Sequence, residues 1–323
     1  MNPPAAAGAF LARAGWEDGD VLPLAGDASF RRYFRIVAPG RSAILMDAPP
    51  PQEDPRPFLA IARWLTERGF AAPEIIADDL ENGFVLLEDF GDSRMRETVD
   101  GAPESELRLY GAAVDLLIRL HRHDAAPVRA YDEPEYLREA DLFTEWYCPA
   151  VGLTVDSEGY RAAWRQVLRC VTDSAPVTVL RDYHAENIML IDGSDHLGLL
   201  DFQDALAGHP AYDLVSLLQD ARRDVPAELE AAMLDRYCRT TGAGSDFATA
   251  YHVLGAQRNA KIVGIFTRLW KRDGKPRYAG MCPRVWRYLE RDLADPALAP
   301  VRRWFDANVP RGRRGDPMEL AAQ

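Results

Sequence analysis

The chain has 323 residues, with 50 Asp plus Glu against 38 Lys plus Arg, so its formal net charge is −12. Apolar residues make up 47% of the chain and charged residues 27%, which excludes a disordered or collagen-like protein. Nonspecific nucleic-acid binding needs a basic surface, so the acidic balance predicts a protein without a nucleic-acid partner.

The cysteines and the apolar segments indicate the cellular compartment. The four cysteines have no CxxC spacing, so neither a zinc site nor a disulfide framework is predicted. No stretch approaches 18 uninterrupted apolar residues, and the first residues lack a basic segment followed by a long apolar one. We therefore expect a cytoplasmic protein with reduced thiols and no membrane partner.

The first 90 residues are predicted to form short strands around one helix. Apolar and aromatic runs broken by Gly, Pro and Asp are typical of strands. Apolar residues from Phe58 to Phe70 recur at helical spacing, and Gly69 followed by Pro73 predicts the end of that helix. The predicted strands are Val21–Leu24, Phe30–Val37, Ala43–Ala48 and Phe84–Glu88.

After residue 100, apolar residues recur at intervals of three and four, which predicts a mainly helical second half. One group of strands interrupts it, at 177–182, 188–192 and 196–201. The turn sequence Gly193-Ser194-Asp195 separates the last two strands and predicts a hairpin.

The change of periodicity predicts two domains, an N-terminal one at 1–88 and a C-terminal one at 89–323. The last residues, from Arg311 to Gln323, are polar and rich in Gly and Arg. We expect this tail to be loosely ordered, as chain termini commonly are.

Three polar residues flank the predicted hairpin in the segment LRDYHAENIMLIDGSDHLGLLDFQD: Asp182, Asn187 and Asp201. If Ile188 lies opposite Asp201 in the hairpin, the side chains of Asn187 and Asp201 are neighbours. Asp182 ends the strand before them. We therefore expect the three side chains to converge at one edge of a small sheet.

This combination of residues predicts phosphoryl transfer. Carboxylate and amide oxygens are ligands that Mg²⁺ prefers, so Asn187 and Asp201 could hold the metal that bridges nucleotide phosphates. Asp182 could accept the proton of the attacking hydroxyl. The order D-x-x-x-x-N, hairpin, Asp is that of the kinase catalytic loop. The alternative is that these residues only form turns at strand ends.

Beyond the catalytic segment, GDASFRRYFRI (26–36), ILMDAPP (44–50) and VLLEDFGD (85–92) add to RDYHAEN (181–187). Together they resemble the aminoglycoside phosphotransferase family of small-molecule kinases over nearly the whole chain. The resemblance implies an α+β, protein-kinase-like fold with a small β-rich nucleotide-binding lobe and a larger helical lobe. It also implies ATP and Mg²⁺ as cofactors.

Within that family, the segments resemble the bacterial anomeric sugar kinases. This implies phosphorylation of the C1 hydroxyl of N-acetylmuramate and N-acetylglucosamine, in peptidoglycan recycling. It also implies a functional link to a sugar-1-phosphate uridylyltransferase that uses the product. We expect the protein to act as a monomer.

The resemblance implies a role for each matching residue. It makes Asp182 the catalytic base, Asn187 and Asp201 the Mg²⁺ ligands, and Asp213 an anchor of the catalytic loop. The residues that it places near the nucleotide are Gly26, Ala28, Ser29, Arg31, Arg32, Met46, Glu88 and Phe90.

The hydroxyl and acetamide groups of such a sugar must be held by hydrogen bonds. N-acetylmuramate also carries a lactyl carboxylate, which Arg or Lys binds best. Polar residues near the catalytic segment and in the helical half are therefore candidates for substrate binding. They are Tyr183, His184, Gln203, Glu145, Arg222, Arg258 and Lys261.

Two positions depart from the kinase pattern. Met46 stands where the phosphate-binding lysine is expected, and Phe58 stands where its glutamate partner is expected. The two losses are consistent with each other, because losing only one would leave a buried charge without its partner. No lysine precedes Lys261, so Arg31 or Arg32 is the candidate to replace the missing cation.

Two alternatives stay open at this point. The same fold could phosphorylate another acceptor, such as an aminoglycoside, choline, homoserine or fructosamine. The missing lysine could also mark a pseudokinase that binds ligands without catalysis, although the base and both metal ligands are retained.

Overall fold

A computed structural model describes residues 2–24, 30–191 and 195–322 of the chain. By its internal contacts the chain divides into two compact units. The first unit comprises Met1–Leu109 and Ala185–Ala205, and the second comprises Tyr110–His184 and Leu206–Gln323. These units are defined by contacts, whereas the domains expected at 1–88 and 89–323 are defined by position in the chain. That boundary stays a prediction.

The first unit contains a five-stranded antiparallel sheet with strand order β1-β2-β3-β5-β4. Alternate side chains of the second strand, such as Phe34 and Ile36, are fully buried, as expected for a sheet with one face on a core. Phe10 and Trp16 belong to the same core. The strands are β1 Asp20–Pro23, β2 Arg32–Ala38, β3 Arg41–Asp47, β4 Ile75–Asp79 and β5 Phe84–Glu88.

Four of these strands match predicted ones. The sequence analysis missed β4, whose residues alternate between half-buried and exposed. Because two of its five residues are Asp, β4 lacks the apolar run by which the other strands were found.

Among the described residues of the first unit, three α-helices begin before residue 102: α1 Ala7–Arg13, α2 Arg56–Thr66 and α3 Met95–Gly101. The predicted helix is α2, and its apolar face is buried. Its end is confirmed, since Gly69 has a φ of +78° and the amide of Phe70 donates to Leu65. A left-handed residue of this kind is the usual site for glycine after a helix.

The predicted group of strands forms two separate pairs. β6 pairs with β9, and β7 pairs with β8, so the expected single sheet is wrong. In the β7–β8 hairpin Ile188 lies opposite Leu199 and not opposite Asp201, because β8 ends two residues earlier than predicted. The strands are β6 Val177–Val179, β7 Ile188–Ile191, β8 His196–Leu199 and β9 Leu206–Gly208.

The β7–β8 hairpin is bound on both sides by backbone of the first unit. The amide of Leu190 donates to the carbonyl of Ser93, and the amide of Leu199 donates to the carbonyl of Ala71, both at 2.8 Å. At Gly198 a Cβ atom would come within 2.7 Å of the Phe90 ring. These contacts explain why a hairpin late in the sequence belongs to the first unit.

The second unit is built mainly from helices, as predicted. Its longest helix, α10 Ser245–Lys271, has 27 residues, and every residue from Val253 to Ala260 is buried. Within the described ranges, none of the helices is both long and apolar enough to span a membrane. The other α-helices of the described residues are α4 Glu106–Leu120, α5 Glu133–Leu142, α6 Cys148–Ala150, α7 Ser157–Thr172, α8 Ala211–Leu218, α9 Ala227–Thr241, α11 Cys282–Asp292, α12 Ala299–Asn308 and α13 Pro317–Ala321.

The C-terminal tail is packed, so the expectation of a loosely ordered segment is wrong for the described residues. The Arg314 side chain is only 7% exposed and donates to the carbonyls of Phe305 and Val309 at the end of α12. The Tyr147 hydroxyl donates to the carbonyl of Arg313 at 2.8 Å. Arginine here satisfies helix-end carbonyls, a role that composition alone does not reveal.

A close helix crossing in the second unit gives a test of the fold. Gly264 of α10 lies against backbone, and a Cβ there would come within 2.3 Å of the carbonyl carbon of Leu142. Because backbone atoms cannot move aside as a side chain can, Gly264→Ala should lower the free energy of unfolding by about 2 kcal/mol or more. Urea denaturation followed by circular dichroism measures this change.

Gly111→Ala in α4 is the matched control. The nearest atom to a Cβ there is the Cζ of Arg236 at 3.9 Å, an ordinary contact. The better helix propensity of Ala should leave this variant unchanged or more stable by up to about 1 kcal/mol. Equal stability of the two variants would contradict the close crossing.

Candidate active site

The three residues with the clearest predicted roles divide between the two units. Asp182 belongs to the second unit, whereas Asn187 and Asp201 belong to the first. The chain passes from one unit to the other between His184 and Ala185, inside the predicted catalytic loop.

In the first unit, Asn187 and Asp201 are neighbours, as predicted. Asn187 immediately precedes β7, and Asp201 follows the end of β8. The amide Nδ2 of Asn187 lies 3.5 Å from Oδ2 of Asp201, and Gln203 Nε2 donates to Oδ1 of Asp201 at 2.8 Å. The Asp201 side chain is 43% exposed, so its carboxylate is open to solvent as well as oriented by two amides.

The backbone and the next side chain hold Asp201 in place. Asp201 has a φ of +59°, a left-handed conformation that is uncommon outside glycine and is frequent at functional sites. The ring of the following residue, Phe202, is fully buried and stacks on Phe58 with centroids 4.9 Å apart and an interplanar angle of 18°. Burial of Phe202 thus turns the Asp201 carboxylate away from the core.

This pair of side chains fits a magnesium ion. Mg²⁺ is a hard cation that takes oxygen ligands and commonly uses one or two protein groups together with waters and phosphate oxygens. Asp201 offers a partly exposed carboxylate, and the neighbouring Asn187 offers an amide oxygen.

Of the residues predicted to bind the nucleotide, three lie outside the described residues: Gly26, Ala28 and Ser29. Met46 is fully buried in the sheet, and Glu88 is exposed at the end of β5. The ring of Phe90 packs against Gly198 of the hairpin. The nucleotide-binding roles of these residues stay predictions.

The two arginines before and at the start of β2 have different surroundings. Arg32 Nε donates to Oδ2 of Asp47 at 2.7 Å, and the Asp47 side chain is almost completely buried. Arg31 Nη2 lies 3.9 Å from Oδ1 of Asp201, and its Nε lies 3.7 Å from Oε2 of Glu53. The structure therefore brings Arg31, and not Arg32, beside the predicted metal ligand.

In the second unit, a buried carboxylate holds the turn that carries Asp182. Asp213 of α8 accepts from the amides of Leu180 at 2.7 Å and Arg181 at 2.9 Å. The Ser216 hydroxyl, one helical turn later, donates to the carbonyl of Arg181 at 3.1 Å. Arg181 has a φ of +72°, so the turn is strained and needs these contacts. The prediction that Asp213 anchors the loop is confirmed.

Positive charges surround Asp182 in the second unit. Its burial would raise the pKa of the carboxyl, but the charges of Lys261, Arg258 and Arg181 together hold that pKa below its usual range. Asp182 is therefore ionised at neutral pH, as a group that accepts a proton must be.

Those cations are held by further polar side chains. Glu139 of α5 is 1% exposed and accepts from Lys261 Nζ at 2.8 Å and from Arg181. Arg258 Nη2 donates to the Ser216 hydroxyl at 2.8 Å. Sequence reasoning missed both acceptors. Ser216 could have been noticed as the only hydroxyl in the apolar run LVSLL, whereas Glu139 looks like any surface glutamate on a helix.

Two substrate candidates lie in the loop after Asp182. Tyr183 is buried, and its hydroxyl donates to the carbonyl of Ala113 at 2.8 Å. Arg222 Nη1 donates to Nε2 of His184 at 3.2 Å. Burial lowers the pKa of His184 to about 4, with the charge of Arg222 acting in the same direction. His184 is therefore neutral at pH 7, with Nε2 as acceptor and the proton on Nδ1.

The other substrate candidates belong to different elements. Arg258 and Lys261 share one face of α10, and their charges act on Asp182. Gln203 lies on Asp201 in the first unit, and Glu145 is exposed on the π-helical turn Phe143–Tyr147 of the second. Their roles in substrate binding stay predictions.

The fold defines the class of protein. An ADP-bound aminoglycoside phosphotransferase of known structure superposes with a TM-score of 0.62, at 14% identity, over 94% of this chain and 99% of its own. This likeness confirms the α+β, protein-kinase-like fold. Residues 20–252 match the phosphotransferase enzyme family, and the chain belongs to that family.

Two relatives are similar over almost their whole length. One, from Caulobacter vibrioides, is 38% identical over 95% of this chain and 96% of its own. The other, from Pseudomonas aeruginosa, is 42% identical over 92% of each chain. Both relatives are named N-acetylmuramate/N-acetylglucosamine kinase.

The Asp213 anchor gives a testable prediction. Asp213→Asn replaces one acceptor oxygen by an NH₂ group that faces a backbone N–H, so a buried donor loses its partner. We expect a loss of about 2 kcal/mol in the free energy of unfolding, together with a lower kcat, because the turn before Asp182 loosens. Urea denaturation and a phosphoryl-transfer assay measure the two effects.

Asp235→Asn is the matched control. Asp235 is half exposed on α9 and pairs with Arg239 one turn away. Surface changes of this kind cost no more than about 0.5 kcal/mol. If the Asp213 and Asp235 variants were equally stable and equally active, the anchoring role would be disproved.

Proposed function

We propose that this protein transfers the γ-phosphoryl group of ATP to the C1 hydroxyl of N-acetylmuramate and N-acetylglucosamine, with Mg²⁺ as cofactor. The observation that carries the proposal is the pair of relatives with this name, which are 38% and 42% identical to the chain and cover more than nine-tenths of it. The side chains that such a reaction needs are retained at Asp182, Asn187 and Asp201.

In the proposed reaction the anomeric oxygen attacks the γ-phosphorus, and the bond from that phosphorus to the β–γ bridging oxygen breaks. Asp182 orients the hydroxyl and receives its proton. A carboxylate with a lowered pKa is a weak base, so the proton moves as the new P–O bond forms. The anomeric hydroxyl is more acidic than an ordinary alcohol, which suits a weak base.

In the first unit Asn187 and Asp201 would hold Mg²⁺, which neutralises charge on the nucleotide phosphates. The chain's own contribution is to orient the Asp201 carboxylate before the nucleotide arrives. The amides of Asn187 and Gln203 and the stacked ring of Phe202 do this. Such preorganisation lowers the barrier because no reorganisation is needed during the reaction.

The product of this reaction would be a sugar 1-phosphate. The chemistry that uses such a product is transfer of a uridylyl group to its phosphate, so we place the protein before a uridylyltransferase in peptidoglycan recycling. We also propose that it acts in the cytoplasm and as a monomer.

A comparison of acceptors tests the proposed function. With ATP and Mg²⁺, coupled detection of ADP release should show turnover with N-acetylmuramate and N-acetylglucosamine. The methyl glycosides, whose C1 hydroxyl is blocked, should give none, and neither should kanamycin or choline. Turnover with only a cationic acceptor would assign the chain another substrate within the same family, and no turnover at all would favour a pseudokinase.

Replacing the base gives a second test. Asp182→Asn should lower kcat by about 10²–10⁴-fold, the usual contribution of a positioned base, while ADP affinity changes only a few-fold. The rate of ADP formation at saturating substrate measures kcat, and isothermal titration calorimetry with ADP measures the affinity. Asp235→Asn serves again as the surface control. A variant at position 182 that kept most of its turnover would show that another group accepts the proton.

A further inference from the structure

The first unit contains three charged side chains that meet beside the proposed metal site. Arg31 lies 3.9 Å from the carboxylate of Asp201 and 3.7 Å from that of Glu53, measured between nitrogen and oxygen. The Arg31 side chain is only 12% exposed, so these charges interact in a partly desolvated place. Sequence reasoning did not single out Glu53.

Kinases need a cation of this kind. In the general pattern a lysine on the third strand contacts the α- and β-phosphates and pairs with a glutamate on the next helix. In this chain β3 carries Met46 at the corresponding position, and α2 carries Phe58. Met46 is fully buried between Tyr33 and Val85 of the adjacent strands, and Phe58 stacks on Phe202. Neither position offers a charge.

Arg31 makes one contact that defines the missing lysine, the ion pair with a glutamate, and it lies beside Asp201, the proposed metal ligand. The hydroxyl of Tyr33, two residues along the chain, interacts with the charge of the same guanidinium. Burial raises the pKa of Tyr33 to about 12, so its hydroxyl stays protonated and neutral. The Glu53 carboxylate and the Tyr33 hydroxyl thus lie beside the Arg31 guanidinium, which in turn lies beside Asp201.

Arg32 does not compete for this role. Its guanidinium donates to Asp47, which lies opposite it on β3 and is 2% exposed. Moving Arg32 toward a ligand would leave the buried Asp47 carboxylate without its partner, which is costly.

We propose that Arg31, held by Glu53, is the cation that contacts the nucleotide phosphates in place of the strand lysine. The inference rests on the proposed function, since it assumes that the chain binds ATP. A guanidinium suits the task, because its planar donors bind phosphate oxygens two at a time. The ion pair of the general pattern is then retained, but other positions supply it. Arg31, just before β2, takes the place of the lysine, and Glu53, in the loop before α2, takes the place of the glutamate.

Nucleotide binding by the full-length protein tests this inference without any sugar. Arg31→Met should weaken ADP binding about tenfold or more, because charge-assisted hydrogen bonds to phosphate are lost. Adenosine, which has no phosphate, should bind within about twofold of the parent protein. Arg31→Lys keeps the charge and should recover part of the ADP affinity, and Glu53→Gln should weaken ADP binding in the same direction by less. Isothermal calorimetry with ADP and competition with adenosine measure these affinities at fixed Mg²⁺.

Arg56→Met is the matched control, since Arg56 is 69% exposed and close to Glu53 in the chain. It should leave both affinities unchanged. Unchanged ADP binding in Arg31→Met would overturn the inference, as would equal losses for ADP and adenosine, which indicate a structural role. Tighter Mg²⁺ binding with unchanged ADP affinity would also overturn it, because Arg31 would then only neutralise Asp201. If the parent protein binds ADP but turns over no amino sugar, the proposed acceptor fails while the role of Arg31 is still decided.

Discussion

The Asp213 carboxylate accepts hydrogen bonds from two consecutive backbone amides, those of Leu180 and Arg181, and the turn that carries Asp182 depends on this interaction. A left-handed arginine is an unfavourable conformation, which persists only when its surroundings determine it. Asp213 and Ser216 hold both sides of that peptide, and both residues belong to one short helix. The position of Asp182 therefore depends on a helix that lies about thirty residues later in the sequence. One of the cations that lower the pKa of Asp182, Arg258, donates a hydrogen bond to Ser216 of that helix.

The two halves of the proposed chemistry are stabilised in different ways. Near Asp182 the charges are buried, and each cation has an assigned acceptor, as Lys261 has in Glu139. Near Asp201 the carboxylate is partly exposed, two side-chain amides contact it, and the Arg31 guanidinium lies 3.9 Å away. A base must keep a defined protonation state, which a fixed set of charges secures. A metal ligand must accept an ion with its water and phosphate ligands, and that requires an open side.

Much of the fold and of the candidate site could be predicted from the sequence, and the wrong or missing predictions have physical causes. The spacing of Asp182, Asn187 and Asp201 predicted the chemistry because ligand types and turn residues are local properties. The register of the hairpin was wrong because an apolar run shows that a strand exists but does not show which residue ends it. Glu139 and Glu53 could not be found, since a glutamate paired with a distant cation looks in the sequence like any solvated one.

The β7–β8 hairpin has a consequence for how the chain assembles. Its backbone hydrogen bonds to Ser93 and Ala71 complete the first unit, yet the hairpin is separated from the earlier part of that unit by Tyr110–His184. During synthesis the amino-terminal segment therefore emerges from the ribosome before Leu190 and Leu199, whose amides bind its backbone carbonyls, have been translated. Closure of the first unit must wait for the hairpin, so the proposed metal ligands Asn187 and Asp201 reach their place only after more than half of the chain has been synthesised.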